Sequence, residues 1–171
     1  MPGVSVEIKA RCSDPVFVRK ILRTHKARFK GLDHQIDTYF RIPSGRLKLR
    51  EGNIENALIY YSRTNQKNSK RCDSIVHRHR DGTVLKKVLT GSLGILTTVD
   101  KKREIYFIQN AKFHVDRVKK LGNFVEIEIF GRAQDLASLR KQCDFYQKLL
   151  GIRPRDLVAN SYSDQVLKRS R

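Results

Sequence analysis

Glu126 and Glu128 stand two residues apart in Val125-Glu126-Ile127-Glu128-Ile129, each flanked by apolar residues. Residues i and i+2 of a strand share one face. Both carboxylates therefore face one way, and Val125, Ile127 and Ile129 the other. The design recurs along the chain. Glu7 and Lys9 share a face against Val6 and Ile8; Arg46, Lys48 and Arg50 share one against Leu47 and Leu49. Tyr61 goes with Arg63, Lys101 with Arg103, and His114 with Asp116 against Phe113 and Val115. The faces are sorted by charge, cations at 46–50 and 101–103, carboxylates at 116 and 126–128. Clustered carboxylates raise one another's pKa unless a cation lies between them. A hard divalent ion, Mg²⁺ or Mn²⁺, is the natural occupant of an oxygen-only site. Metal on one side and Arg or Lys on the other is what phosphoryl chemistry needs. That holds if the strands close into a barrel whose charged faces line one lumen. The alternative is an open sheet with its polar face in water and helices on the other side.

The 171 residues carry 36 Lys or Arg and 17 Asp or Glu, a net charge of +19. This length favours one domain that can form its core without disulfides or a structural metal. Such a charge points to an anionic partner: nucleic acid, a phosphorylated metabolite, polyphosphate or an anionic membrane. No run approaches the roughly 20 apolar residues of a membrane span. The opening MPGVSVEIKARC lacks the apolar centre of a signal peptide. Cys12, Cys72 and Cys143 are odd in number and far apart, which predicts free thiols in a reducing compartment. The expected location is cytoplasmic, with nuclear as the alternative.

The elements that must position these residues follow from periodicity. Alternation predicts strands at 4–12, 35–42, 46–50, 57–64, 74–80, 95–109, 111–117 and 123–130. Asp14 before Pro15 reads as a helix N-cap, with the helix ending before Gly31. Further helices are predicted at 81–94 and 135–150, and a short one after Pro154. Residues 65–73 read as a polar loop. In it and the next strand, Lys67, Lys70, Arg71, Arg78 and Arg80, interleaved with His77 and His79, form a candidate external anion patch. The expected domain is a single α+β unit over 1–171, with its core at about 4–165 and a basic tail at 166–171.

Read in order, these segments resemble the CYTH superfamily, the triphosphate tunnel metalloenzymes, and within it the class IV adenylate cyclase-like branch. Val6-Glu7-Ile8-Lys9-Ala10-Arg11, Gln35–Phe40, Gly45–Arg50, Ala57–Arg63, Lys101–Tyr106, His114-Val115-Asp116 and Leu121–Glu128 carry the resemblance. It implies a closed eight-stranded antiparallel β-barrel with flanking helices and a triphosphate in its tunnel. It assigns Glu7 to metal or water, and Lys9, Arg46, Lys48, Arg50, Arg63, Lys101 and Arg103 to the phosphates. Glu7, Asp116, Glu126 and Glu128 become the metal set for Mg²⁺ or Mn²⁺, with Glu7, Lys9, Glu126 and Glu128 as catalytic residues. Tyr162 is expected near the tunnel mouth. One departure stands out: the family's ExExK start would have its first Glu at position 5, and Ser5 occupies it. That puts a second metal in question.

The function implied is metal-dependent hydrolysis of a phosphoanhydride in a nucleoside triphosphate, tripolyphosphate, thiamine triphosphate or other organic triphosphate. The alternatives are a class IV-type adenylate cyclase, and a non-catalytic binder of polyphosphate, nucleotide or a 5′-triphosphate RNA end. The expected assembly is a monomer or homodimer without a membrane partner.

Overall fold

The computed structural model describes residues 3–63 and 65–170. Thr64, placed in a predicted strand, and Arg171 of the basic tail lie outside the described residues. Eight strands form one closed antiparallel barrel in the order β1-β5-β4-β3-β2-β6-β7-β8, with β8 pairing back onto β1. They are β1 (Gly3–Arg11), β2 (Arg28–Phe40), β3 (Arg46–Glu51), β4 (Ala57–Arg63), β5 (Lys70–Arg78), β6 (Ile95–Ile108), β7 (Ala111–Val118) and β8 (Gly122–Gly131). Four helices flank them: α1 (Pro15–Thr24), α2 (Thr83–Leu93), α3 (Leu136–Leu149) and α4 (Tyr162–Arg169). Closure removes the open-sheet alternative and any free edge.

The layering is inverted relative to a small barrel with an apolar lumen. The outward faces of β1, β7 and β8 supply Val6, Ile8, Phe113, Val115, Val125, Ile127 and Ile129. These pack against Val18 and Leu22 of α1 and Leu139, Cys143 and Tyr146 of α3. The main hydrophobic core thus lies between barrel wall and helices, which frees the lumen for charge. Burying such side chains is worth roughly 1.5–3 kcal/mol each. Helix α3 lies close on β8: a Cβ at Gly131 would come within 2.7 Å of Leu139 Cδ2. A second, smaller cluster of Tyr39, Tyr61, Cys72, Val99, Val118, Leu121, Phe124 and Tyr162 fills one end of the barrel.

Three elements differ from their sequence reading. Helix α1 starts as expected, with Asp14 accepting from the Phe17 N–H and Pro15 at its first position. It stops at Thr24 rather than near Gly31, because residues 28–34 pair with β6. Gly31, at φ 143°, marks a bulge there, and its missing side chain makes room for Ile54. Strand β5 begins at Lys70 inside the expected loop, pairing Lys70 with Glu7. Lys70 is therefore buried within the barrel and does not belong to an external patch. Residues 166–169 of the expected tail belong to α4, whose N-terminus is capped reciprocally by Ser161 and Asp164.

The turn between β3 and β4 is held from inside. Asp33, fully buried, accepts from the backbone N–H of Ile54 (2.9 Å) and Glu55 (3.0 Å) and from Gln35 Nε2 (2.8 Å). This anchors Glu55 over the lumen. Asp33→Ala should lower stability by about 1.5–3 kcal/mol, the scale of a lost charged hydrogen bond with orphaned donors. A urea midpoint unchanged from wild type would show the turn is held otherwise.

Candidate active site

The lumen contains a cavity of about 400 Å³. Glu7, Lys9, Lys48, Arg50, Arg63, Lys101, Arg103, Glu126 and Glu128 all line it, as the alternation predicted. Two expected residues do not. Arg46 sits at one end of the barrel, where its Nη2 donates to Asp164 Oδ2 (3.0 Å) and Asn65 Oδ1 (3.3 Å). Asp116 lies behind Arg103, fully buried. Lining residues outside the expected site include Asp37, Glu55, Lys112 and His114. Asp37 and His114 stand on alternating faces. Lys112 shares the face of His114 and Asp116, a signal that extending their strand by one pair would have found. Glu55 lies in a turn, where no periodicity marks it.

The cations are already paired. Asp37 takes Arg50 through two bonds (Nε 2.8 Å, Nη2 3.0 Å), with Lys48 at 3.0 Å and Lys101 at 2.7 Å. Burial alone would raise the Asp37 carboxyl, but Arg50, Lys101 and Lys48 together hold it well below the usual range. Burial pulls the Lys101 ammonium down to about 7, against the opposing pull of Asp37. Arg103 donates twice to Asp116 (2.7 and 2.6 Å) and once to Glu126 Oε2 (2.7 Å). Tyr162 donates its hydroxyl to Asp116 Oδ2 at 2.7 Å. Lys9 reaches Glu126 Oε1 at 3.1 Å and rests on the Tyr162 ring. Arg63 bonds Glu7 Oε1 at 2.5 Å. Glu55 accepts from Lys112 (2.6 Å) and Arg50 (3.3 Å). The lumen's cations thus outnumber its carboxylates although most of them are paired, and the greater part of the +19 lies on the outside.

Glu128 is the exception. It faces Glu7 directly across the β1–β8 ladder, and its hydrogen bond comes from Ser5 Oγ, to Oε1 at 3.2 Å. Burial, with the Glu7 charge next in size, pushes its carboxyl up to about 7. Two facing carboxylates, one of them in no ion pair among the described residues although Lys112 lies across the β7–β8 ladder from it, form the donor set a hard divalent cation fits. Mg²⁺ keeps several waters and is commonly bound by one or two carboxylates plus substrate phosphates. Asp116 and Glu126, expected as ligands, have both oxygens engaged by Arg103, Tyr162, Lys9 and His114. Among the described residues, no group of three or more His, Cys, Asp or Glu converges as a self-sufficient metal site.

The tunnel has one open end. At the other, α4 forms the floor: Ser161, Tyr162 and Ser163 are buried, and Phe124 packs edge-on to Tyr162. Tyr162, expected near the mouth, therefore stops the tunnel instead. Lys70 Nζ, bonded to the Ala159 carbonyl (3.2 Å), sits at the same end. Cys72 also lies in the lumen, where burial pushes its thiol up to about 12, too high for a nucleophile at neutral pH. Cys12, Cys72 and Cys143 are all free and buried. His77 and His79 gather no further ligand into a metal group among the described residues. No helix among the described residues is long and apolar enough to cross a membrane.

A closed antiparallel barrel with a charged, one-ended lumen defines the architecture of a triphosphate tunnel. The CYTH domain model matches residues 4–162, and the chain belongs to that family. No curated protein matches the sequence. Among solved structures, the PH1012 protein of Pyrococcus horikoshii OT3 is 22% identical, with a TM-score of 0.82 over 94% of this chain and 98% of that one. A putative adenylate cyclase from Vibrio parahaemolyticus is 18% identical, with a TM-score of 0.74 over 96% and 97%. The adenylyl cyclase-like HpAC1 of Hippeastrum, described as having a dominant triphosphatase activity, is 12% identical, with a TM-score of 0.60 over 98% and 95%.

Glu128 makes a pH-dependent demand on the fold. Its folded-state pKa lies above that of an unfolded glutamate, so its stabilisation is complete below about 4.5. That stabilisation is lost as pH rises through about 7. In chelator, Glu128→Gln should be more stable than wild type at pH 8, by about 2–3 kcal/mol. At pH 4 the two should coincide. Equal denaturant midpoints at pH 8 would show that Glu128 carries no buried charge there.

Proposed function

We propose that this protein hydrolyses a linear triphosphate with the help of a divalent cation. The observation that carries this reading is the Glu7–Glu128 pair, facing a wall of Arg and Lys inside a tunnel closed at one end. When bound at Glu7 and Glu128, Mg²⁺ or Mn²⁺ would supply positive charge to the phosphoryl oxygens. The chain's own residues account for the rest. Arg50, Lys48 and Lys101 sit on Asp37, and Arg103 and Lys9 on Glu126. These carboxylates hold the cations in place before any ligand enters. Their N–H groups are ordered to receive phosphate oxygens as charge builds in the transition state. Arg63, braced by Glu7, lies beside both the cation site and the grip. Arg46, held by Asp164, takes no part in the grip in this reading. Most of these cations are buried, which strengthens each of their contacts.

In hydrolysis, a water oxygen attacks a phosphorus, the bridging P–O bond breaks, and the departing phosphate carries away the electron pair. The water loses one proton. A carboxylate that orients this water supplies the remaining function, and Glu128 and Glu7 are the two placed to do so. Cyclisation would use the same grip, with a ribose hydroxyl in place of water. The likeness in fold to a protein described with a dominant triphosphatase activity supports hydrolysis.

The test is orthophosphate release from ATP, tripolyphosphate and thiamine triphosphate with Mg²⁺ or Mn²⁺, products resolved. Glu128→Gln should lose metal-dependent turnover while keeping its fold. Cyclic AMP with pyrophosphate would replace the hydrolase reading with a cyclase. Glu128→Gln turning over at the wild-type rate would refute the cation assignment. Arg50→Ala and Arg103→Ala should each weaken triphosphate binding by about 1.5–3 kcal/mol, checked by calorimetric titration. Arg46→Ala should change it by less than about 0.5 kcal/mol.

A further inference from the structure

Outside the tunnel, cations gather on one stretch of barrel wall. Lys102 of β6 and Arg117 of β7 stand directly opposite each other on their ladder. Both are exposed, while Lys101, Arg103 and Asp116 beside them are buried, so both point outward. Like charges directly opposite on a ladder cost stability. Neither takes part in an ion pair among the described residues. The closed end adds to the cluster instead of offsetting it. Lys119 and Lys120 occupy the turn after β7. Arg169 of α4 donates to the Lys120 carbonyl, and Arg11 of β1 to that of Leu121 (3.4 Å). Asp100, bonded to His34 and 3.6 Å from Lys119, is the carboxylate that ion pairing brings here. Elsewhere on the surface, Lys86 pairs with Glu51, Arg71 with Asp73 and Arg132 with Asp135. On this wall backbone carbonyls hold the cations together, so most of their field stays uncompensated.

Lys102 and Arg117 also border a groove of about 560 Å³ between the start of α1 and the wall. Val16 of α1, 66% exposed, and Leu32 of β2, 55% exposed, give it apolar surface. Asn123, the ladder partner of Arg117, adds an amide. Glu104, which also lines it, is taken up by Arg19 and Tyr106. The ladder sets Lys102 and Arg117 roughly 5 Å apart, on the scale of successive phosphates in a nucleic-acid strand. Cations along the rim and apolar surface within suit a ligand with repeated anions and flat apolar faces. An unpaired strand offers both, because its bases can leave the stack. A duplex keeps its base faces stacked, and a lipid headgroup layer brings charge without a face to bury.

We propose that this outer wall binds a single-stranded nucleic acid: Lys102, Arg117, Lys119 and Arg169 contact its phosphates, and the groove takes a base against Val16 and Leu32. RNA and DNA present the same chemistry here. The site lies outside the tunnel and is independent of the reaction proposed there.

The probe is a short RNA with a 5′-hydroxyl end, which carries no triphosphate, followed by fluorescence anisotropy at low salt. The Lys102→Ala/Arg117→Ala double variant removes a repulsive pair, so its melting temperature should not fall below that of wild type. It should bind the RNA at least about tenfold more weakly, with a log–log salt slope shallower by about 1.4, the share of two phosphate contacts. Its affinity for tripolyphosphate should match wild type. Arg140→Ala/Lys141→Ala removes the same charge from exposed positions on α3 and should stay within about twofold of wild type on RNA. Val16→Glu, which puts a carboxylate in the groove, should also weaken the RNA. Wild-type RNA affinity in the Lys102→Ala/Arg117→Ala variant overturns the proposal. So does an equal loss in the α3 variant, which would trace binding to net charge alone. Wild type binding an RNA duplex as tightly as the single strand overturns the role of the groove. Wild type binding phosphatidylserine vesicles and no RNA or DNA would replace the strand with a membrane surface. A DNA strand of the same sequence in parallel assigns the site to whichever of the two binds more tightly.

Discussion

Opposite charges are locked together inside this barrel, and the rest of the structure depends on that. A closed barrel whose inward faces carry Lys9, Lys48, Arg50, Arg63, Lys101, Arg103 and Lys112 could not fold around bare cations. Desolvating each costs several kcal/mol. Asp37, Glu55, Asp116, Glu126 and Glu7 offset that cost by direct contact. The same pairing fixes the cations' geometry. A phosphate entering the tunnel meets donors already aligned, so little side-chain entropy is lost on binding. Glu128 is the carboxylate this scheme leaves over. Its elevated pKa is the physical trace of a place where positive charge is wanted.

The hydrophobic effect works on the outside of the barrel. Alternation sends every second residue of β1, β7 and β8 outward to meet α1 and α3. That arrangement lets the inner positions be chosen for chemistry. Helix α4 links the two compartments. Its Tyr162 is part of the apolar cluster at the closed end, yet its hydroxyl bonds Asp116 and its ring carries Lys9. One side chain thus closes the tunnel and braces the deepest cations.

Strand periodicity made much of this legible. The i, i+2 spacing at 48–50, 101–103 and 126–128 put cavity-lining residues on one inward face, and the helix start at Asp14 followed from local chemistry. What escaped lacked periodicity. Glu55 lies in a turn, held by Asp33 from a distant stretch of chain. Lys70-Arg71-Cys72-Asp73 looks like a solvated loop, because its alternation is of one polar type with another. Only pairing with β1 shows that Lys70 faces in and Arg71 out. The family resemblance assigned Asp116 to the metal, and only the fold shows its whole carboxylate buried against Arg103 on the neighbouring strand and Tyr162 of α4.

Everything proposed for the tunnel's chemistry turns on Glu7 and Glu128 holding a divalent cation. Titrating Mn²⁺ into the protein, read by loss of the free-ion paramagnetic resonance signal, tests it without requiring turnover. Wild type should bind Mn²⁺, and Glu128→Gln should bind it at least tenfold more weakly. Equal Mn²⁺ binding by the two proteins would contradict the claim.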